Sequence, residues 1–251
     1  MAGQRTAGTK PGDFCAQCGV RNQAVCAPLD IDELAVVESF RSGVRAVPAG
    51  AELFAQGEVN TRVYTLLEGW AMLYETLEDG RRQIMEFCLP GAFLGFQIDP
   101  ERPIAYTAQA ISDIRVCTFP RKGLEELFHE KPDMSFRMAC IATREQNFAF
   151  QHLTSVGRRT AQERVANLLL ELFLRIRLTS PDGAGHAIRL PLTQEHIGDA
   201  LGLTSVHVNR TLRALREDGI LTVRDGVLRI MDADRLVEIA GYDPKVHEPR
   251  T

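Results

Sequence analysis

The sequence lacks the long apolar segments of membrane and secreted proteins. Among its 251 residues, no window approaches the ~18–20 unbroken apolar residues that a membrane span needs. Residues 1–12 contain no apolar stretch of the kind that a secretory signal uses. We therefore expect a cytoplasmic protein. In that reducing compartment, a disulfide scaffold is a poor interpretation of the six cysteines.

The chain also lacks the net positive charge that would by itself indicate a nucleic-acid partner. Its formal net charge is −4. The charge is uneven, since residues 158–251 hold 14 Lys and Arg against 13 Asp and Glu (+1) and residues 1–157 hold 15 against 20 (−5). This asymmetry is compatible with an acidic N-terminal part and a C-terminal part that contacts a polyanion. A chain that is 45% hydrophobic and 25% charged should bury a core.

Three cysteines, Cys15, Cys18 and Cys26, lie within twelve residues and are called the N-terminal triad below. A Cys-x-x-Cys pair in a reducing compartment indicates metal or redox chemistry, because two intervening residues let both sulfurs reach one centre from a single turn. A zinc ion or an iron–sulfur cluster would need a fourth ligand from elsewhere. Redox thiols and incidental cysteines are the alternatives, and the spacing does not separate zinc from iron–sulfur.

Short apolar strands fill the region between residues 45 and 119, and turn signals separate them at intervals of roughly 8–12 residues. This pattern predicts a compact antiparallel β-barrel or roll. A short amphipathic helix over Ile31–Phe40 precedes it. Residues 1–13 are small and polar, and we predict that they are disordered.

A long helix is predicted from Pro132 to about Val156, after a shorter one over Lys122–Glu130. An apolar stripe runs along it close to heptad spacing, although Glu145 occupies one of its positions. The stripe consists of Met134, Met138, Ile141, Phe148 and His152. It is a candidate dimer seam, and the alternative is an ordinary helix packed on the β-roll.

The segment Leu190–Ile230 predicts a helix-turn-helix followed by a wing. Thr193 can cap the first helix, Gly202 allows the tight turn, and Thr204 can cap the second helix, Ser205–Glu217. Val208, Leu212 and Leu215 are spaced to face the core. The opposite, exposed side is expected to enter the major groove of DNA, where Arg can bond guanine and Asn adenine.

A hairpin at residues 220–230 would form the wing, where Arg224 and Arg229 can meet phosphates. The alternative is a helical hairpin with a solvated charged face. The predicted DNA-contacting residues are Thr193, Thr204, Ser205, Val206, Asn209, Arg210, Arg213 and Arg224.

The order of these parts resembles the Crp/Fnr family of bacterial transcription regulators over nearly the whole chain. GRRQIMEFCLPG at residues 80–91 resembles the roll of the Fnr branch, and TQEHIGDALGLT at residues 193–204 resembles the family's helix-turn-helix. The resemblance implies an α+β fold. Its parts would be a cluster-binding segment, a cupin-like antiparallel β-roll sensor, a dimerisation helix, a winged helix-turn-helix and a tail, at residues 1–27, 28–130, 131–157, 158–235 and 236–251.

In the Fnr branch, an N-terminal cysteine triad and one cysteine of the roll hold a [4Fe–4S] cluster. The N-terminal triad matches, and its second spacing resembles the longer form of alphaproteobacterial Fnr-like proteins. The stretch IRVCTFP at residues 114–120 matches the position of the roll cysteine, which makes Cys117 the implied fourth ligand. Cys88 is the rival, because both cysteines lie on predicted strands. Cys140 is expected in the core.

Two departures from the family concern its ligands. Gly95 is followed by Phe96 rather than glutamate, and residues 104–107 supply no arginine for a phosphate. We therefore expect no cyclic nucleotide. In the second helix, Val206 stands where the Fnr branch has glutamate, although Arg210 is retained. The DNA half-site need not be that of Fnr.

The resemblance implies a homodimeric, oxygen-responsive transcription regulator of anaerobic or microaerobic genes that binds palindromic double-stranded DNA and contacts RNA polymerase. Loss of the cluster would release the N-terminal segment, weaken the dimer and lower DNA binding, since two half-sites need both reading heads. Nitric oxide is a second candidate signal. A Crp-type regulator gated by another small effector, with zinc or no ligand at the cysteines, is the alternative. An enzyme is not expected, because the histidines are scattered and form no acid–base constellation.

Overall fold

The computed structural model describes residues 13–97, 99, 101–179 and 186–242. Residues 1–12 of the segment predicted to be disordered therefore lie outside the part described, whereas Asp13 is helical. The helices are α1 Asp13–Ala16, α2 Ile31–Phe40, α3 Leu124–Glu130, α4 Pro132–Arg158, α5 Ala161–Thr179, α6 Gln194–Leu201, α7 Ser205–Glu217 and α8 Ala233–Ala240. The strands are β1 Gly43–Val47, β2 Glu52–Phe54, β3 Arg62–Glu68, β4 Ala71–Thr76, β5 Arg82–Cys88, β6 Phe93–Leu94, β7 Thr107–Ala110, β8 Ile114–Pro120, β9 Ala187–Arg189, β10 Leu221–Arg224 and β11 Val227–Ile230. No helix among these residues combines the length and apolar character needed to cross a membrane.

The chain forms two compact units, one of residues 1–69 and 88–144 and one of residues 70–87 and 145–251. In the first unit, an antiparallel sheet has the strand order β1-β8-β3-β6. β2 and β7 pair separately, also antiparallel. β8 is central, since Cys117 is paired with Val44 of β1 on one side and with Thr65 of β3 on the other.

One face of this sheet carries the apolar cluster of the first unit. Successive strand residues point to opposite faces, so Cys117 and Phe119 of β8 lie on the same face as Val63 of β3. All three are buried in one cluster with residues of α1, α2, α3 and the beginning of α4. The core of the first unit therefore lies between the sheet and its covering helices.

The second unit contains the neighbouring strands β4 and β5, helices α5 to α8 and a small antiparallel sheet of order β10-β11-β9. Asn167 of α5 donates a 3.1 Å hydrogen bond to the carbonyl oxygen of Ala240 at the end of α8. The predicted tail boundary at residue 235 falls inside α8, which the sequence interpretation missed. The predicted α+β class with an antiparallel sensor sheet, a long helix and a C-terminal helix-turn-helix is confirmed.

Part of the predicted dimer seam on α4 is occupied by contacts within the chain. Met134 and Ile141 are buried in the apolar cluster of the first unit, and Met138 packs against it. In the second unit, the Arg175 guanidinium lies 5.0 Å from the centre of the Phe148 ring, and burial lowers the pKa of His152. Met134 and Ile141 are therefore covered within the first unit, whereas Phe148 and His152 are only half-buried. The dimer seam itself stays a prediction.

A second stripe on α4 is exposed instead. It follows steps of three and four residues and is called the outer face of α4: Phe136, Ala139, Thr143, Gln146, Phe150 and Leu153. Phe136 is 74% exposed, Phe150 57% and Leu153 69%. The expectation that Cys140 lies in the core is also wrong, since it is exposed. One residue corresponds to about 100° around a helix, which turns Cys140 away from the buried side that holds Ile141.

Candidate metal centre and nucleic-acid interface

Four of the six cysteines line one apolar cavity of the first unit. The N-terminal triad and Cys117 share its wall with side chains such as Phe14, Phe93 and Met134. The sequence places Cys117 about ninety residues after the triad, so only the fold brings the four sulfurs together. This is the grouping that the resemblance implied for a cluster site.

The N-terminal segment reaches the sheet through a series of tight turns. Cys15 lies in α1, the Cys18 amide donates to the Cys15 carbonyl oxygen at 3.3 Å, and the Leu29 amide donates to the Cys26 carbonyl oxygen at 3.3 Å. Gly91 has a φ of +96°, and a Cβ there would lie 2.7 Å from Cβ of Gln23. A glycine is needed at this point because the segment passes so close to the turn between β5 and β6.

The two remaining cysteines do not join the cavity. Cys88 is fully buried at the end of β5 but is absent from the cavity lining, and Cys140 is exposed on α4. The structure therefore supports Cys117 over its rival Cys88 as the partner of the triad.

Burial dominates the electrostatics of the cavity thiols. It raises the pKa of Cys15 to about 11, that of Cys26 to about 11 and that of Cys117 to about 12. Glu38 contributes to the rise at Cys15 and nearby cysteines contribute at all three, whereas Arg41 opposes the rise at Cys15 and Cys117. Four thiolates would repel one another here, so a cationic centre is the partner that stabilises them together.

The donor set fits a thiolate-ligated group, although the sulfurs are not arranged around a single ion. Among the residues described, no group of three or more His, Cys, Asp or Glu side chains stands close enough to hold one metal ion.

The helix-turn-helix is built by the capping residues that the sequence indicated. Thr193 Oγ1 accepts from the His196 amide at 3.1 Å, and Thr204 Oγ1 accepts from the His207 amide at 3.2 Å. Gly202 ends α6 in the left-handed region, with φ 64°. The Leu203 amide then donates to the Gly198 carbonyl oxygen at 3.0 Å, which closes the turn.

Helix α7 has one buried and one exposed side, with one correction. Val208 and Leu215 are buried as predicted, but Thr211 is buried beside them while Leu212 is only half-buried. Thr211 also lies three residues after Val208, and its hydroxyl donates to the His207 carbonyl oxygen at 2.9 Å, which makes its burial inexpensive. The exposed side carries Ser205, Val206, Asn209, Arg210 and Arg213.

The wing forms at the predicted place. β10 and β11 pair with Arg224 opposite Val227, and Asp225 and Gly226 between them both have positive φ, as in a type I′ hairpin turn. Arg224 and Arg229 are exposed. Sequence reasoning missed β9, which pairs with β11 and adds the exposed Arg189 opposite Val227. The wing region therefore carries three exposed arginines.

Two polar pairs near the recognition surface were also missed. Asn209 Nδ2 donates to Gln194 Oε1 at 3.2 Å. Arg213 Nε lies 2.8 Å from Glu217 Oε1, and this bond raises the pKa of Arg213. The i, i+4 spacing of Arg213 and Glu217 was the available signal. The carboxylate partly neutralises an arginine that was assigned to DNA contact.

Helix α6 is also held by β5, within the second unit. Both Nε and a terminal nitrogen of Arg82 lie 2.7 Å from Asp199 Oδ2. The neighbouring Gln83 donates to the Ala200 carbonyl oxygen at 2.9 Å. These bonds fix the helix that precedes the turn.

We predict that Gly198→Val lowers the thermal midpoint of the protein. A Cβ at Gly198 would lie 2.5 Å from the Leu203 carbonyl oxygen, so the helix and the turn must move apart. Overpacking of this kind costs about 1–3 kcal/mol. Thermal unfolding followed by circular dichroism measures it. Gly157→Val is the control, since nothing lies within 4 Å of a Cβ there, and an equal shift in both variants would contradict the prediction.

Comparisons with known proteins match both the sensor region and the helix-turn-helix region of the chain. A model described as the Crp-like helix-turn-helix domain matches residues 163–239, and one described as the cyclic nucleotide-binding domain matches residues 44–131. The nitrogen fixation regulation protein FixK of Bradyrhizobium diazoefficiens is 36% identical over 229 residues, which covers 91% of this chain and 94% of that protein. The transcriptional activator protein FnrL of Cereibacter sphaeroides is 35% identical over 235 residues, covering 91% and 92%.

A solved structure extends the agreement to the fold. FixK2 from Bradyrhizobium japonicum superposes with a TM-score of 0.70 at 30% identity, covering 78% of this chain and 96% of that one. The two family models match the sensor and the helix-turn-helix in the order found here. The chain therefore belongs to the Crp/Fnr family of DNA-binding transcription regulators.

Proposed function

We propose that this protein is a cytoplasmic, homodimeric, oxygen-responsive transcription regulator of anaerobic or microaerobic genes, controlled by a [4Fe–4S] cluster. The observation that carries the proposal is the convergence of the N-terminal triad and Cys117 on one apolar cavity. The similar proteins are a transcriptional activator and a nitrogen fixation regulator, which supports activation of transcription through RNA polymerase. The family is non-enzymatic, as the sequence led us to expect.

Cys15, Cys18, Cys26 and Cys117 would hold the cluster, which supplies an oxygen-labile inorganic centre when bound. These residues bind it as thiolates, so the cavity must release protons on loading. Phe14, Phe93 and Phe119 form part of the apolar wall and would limit the contact of the sulfurs with water. Ligation would also fasten residues 13–29 to strand β8.

The apolar cluster of the first unit connects this segment to the long helix. Cys15 and Val25 belong to the same buried cluster as Met134 and Ile141 of α4. Protein interiors are close-packed, so a shift of the segment changes the packing available to the helix. This continuous packing is how we expect the state of the cysteine site to reach α4.

The outer face of α4 is our proposed dimer contact. Its alternating three- and four-residue steps are the spacing of a coiled-coil seam. Two exposed phenylalanines and a leucine on a helix are costly to leave in water, and a second copy presents the same stripe. This assignment replaces the seam predicted from sequence.

DNA recognition is assigned to the exposed side of α7 and to the wing. Asn209 and Arg210 would read base edges, while Thr193 at the start of α6 and Arg224 on the wing would meet phosphates. Two copies would then bind half-sites about one helical turn apart, roughly 34 Å. A palindromic operator follows from the two-fold symmetry.

We predict that Glu217→Gln strengthens DNA binding without changing sequence preference. The substitution releases Arg213 from its 2.8 Å ion pair and allows it to meet a phosphate. One added phosphate contact should steepen the slope of log affinity against log salt by about 1. Fluorescence anisotropy titrations at several salt concentrations measure this slope. Glu238→Gln on α8 makes the same charge change and is the control. An unchanged slope, or a gain equal to that of the control, would contradict the prediction.

The proposed function is tested on protein purified without air. We expect stoichiometric iron and sulfide, a broad visible absorption band, and operator binding that falls when the sample is aerated. Bleaching by nitric oxide before oxygen has any effect would make that gas the signal. Colourless protein that binds its operator equally well before and after aeration would overturn the proposal, and zinc without iron would indicate a structural thiolate site.

An alternative is a regulator gated by a small effector bound in the roll. The match of residues 44–131 to the cyclic nucleotide-binding domain favours it. We nevertheless predict no cyclic-nucleotide binding, because Phe96 follows Gly95 where the family's nucleotide-binding branch has glutamate. Calorimetric titration of the metal-free protein with cyclic AMP should show no heat of binding, and saturable binding that restores DNA affinity would favour the alternative.

A further inference from the structure

Arg41 occupies an unusual place beside the cysteine cavity. It is the C-cap of α2, and its guanidinium carbon lies 4.0 Å from the centre of the Phe14 ring, next to Cys15 in the chain. Its terminal nitrogen is 3.3 Å from Glu38 Oε1, with the two side chains only 16% and 17% exposed. The cation is thus held in a largely buried position between α1 and α2.

One donor of this guanidinium has no acceptor among the described residues. Nε of Arg41 is buried and makes no hydrogen bond there. A buried N–H group without an acceptor is rare, because the lost hydration is not replaced. Such a donor beside a thiolate site can bond sulfur, and hydrogen bonds to sulfur tune iron–sulfur centres.

Arg41 lies near two cysteines that come from separate elements. Its guanidinium stacks on the ring of Phe14, which precedes Cys15 in α1. The next residue, Ser42, donates its amide to the Thr118 carbonyl oxygen at 2.8 Å, and Thr118 follows Cys117 in β8. The arginine therefore lies where the N-terminal segment meets the sheet, and the Glu38 carboxylate beside it offsets part of its charge.

We propose that the positive charge of Arg41 compensates part of the negative charge of the four cavity thiolates, and that the carboxylate of Glu38 reduces this compensation. The inference rests on the proposed cluster function. A cluster held by four thiolates is a net anion, so a nearby cation stabilises it and favours its reduced, more negative state. The neighbouring carboxylate must have the opposite effect on the same quantity.

The test compares Arg41→Gln, Arg41→Lys and Glu38→Gln with wild type in full-length, anaerobically purified protein. The readouts are iron content, the midpoint reduction potential and the rate at which visible absorption is lost in air. Arg41→Gln should lower the potential and bleach several-fold faster, whereas Glu38→Gln should raise the potential and bleach more slowly. Arg41→Lys keeps the charge and should lie between wild type and Arg41→Gln. Arg115→Gln, at an exposed ion pair with Glu68, is the control.

A merely structural role predicts a different outcome, because either substitution breaks the same ion pair. Shifts of the potential in the same direction for Arg41→Gln and Glu38→Gln, or shifts no larger than that of Arg115→Gln, would overturn the inference. If Arg41→Gln holds too little iron to measure, the other two variants test the inference. The reduction potential should rise in Glu38→Gln and fall in Arg41→Lys, and shifts in the same direction would overturn it. Wild-type protein without iron overturns the proposed function as well, whereas iron-loaded wild type with an unmoved potential overturns the role of Arg41 alone.

Discussion

Cys117→Ser is expected to abolish iron retention, whereas Cys88→Ser leaves it intact. Cys117 lines the cavity with the N-terminal triad, and Cys88 is buried outside its wall. A serine hydroxyl is a harder and far less acidic donor than a thiol, so it does not replace a thiolate at a soft iron site. Iron and sulfide analysis after anaerobic purification, together with the visible spectrum, measures the effect.

The two cysteines are a matched pair because both are buried on strands and both substitutions are the same. Serine adds a buried hydroxyl in each case, so loss of stability alone would affect both variants. Thermal unfolding of the metal-free proteins controls for that loss. Iron retained in Cys117→Ser and lost in Cys88→Ser would reverse the assignment of the fourth ligand.

Placing glutamates at Phe150 and Leu153 is expected to convert the dimer to a monomer. Both side chains are more than half exposed on the outer face of α4, and like charges across a two-fold axis repel. Joining two DNA-binding domains in one dimer raises the affinity for a pair of half-sites by about 10²–10⁴-fold. Operator affinity should fall by a factor in that range, and sedimentation analysis together with anisotropy titrations measures both quantities.

Val59→Glu is the control for this double substitution, since Val59 is an apolar residue of similar exposure in the loop between β2 and β3. It should leave both the mass and the operator affinity unchanged. A protein that stays dimeric with glutamates at 150 and 153 would contradict the outer-face assignment. A monomer produced by Phe148→Ala alone, with Phe150 intact, would return the contact to the stripe predicted from sequence.

The cysteine site was predictable only in part. The short spacing within the triad allows its sulfurs to approach one centre whatever the rest of the chain does. Cys117 was implied by family resemblance, and its agreement with the cavity depends on strand alternation, which turns it with Phe119 toward the covering helices. No sequence pattern pointed to Arg41, because its proposed role depends on the packing of its guanidinium against the ring of Phe14.

The helix-turn-helix and the wing were predictable in more detail. Caps at Thr193 and Thr204 and the glycine turn act within a few residues, so their consequences appear directly in the chain. The side chains that hydrogen-bond to the DNA-facing residues and to helix α6 are harder to identify from sequence. The bond from Asn209 to Gln194 joins two helices, and the contact of Arg82 with Asp199 joins residues 117 positions apart.

By itself, the sequence determined what depends on neighbours along the chain: the strands and helices, their caps, the turn between α6 and α7, and the reach of the triad. Only the tertiary structure decided which side of α4 faces inward. Two stripes on that helix satisfy heptad spacing, one through Met134 and Ile141 and one through Phe136 and Phe150. Spacing is a property of one helix, whereas burial depends on the surface packed against it, and here the apolar cluster of the first unit covers Met134 and Ile141.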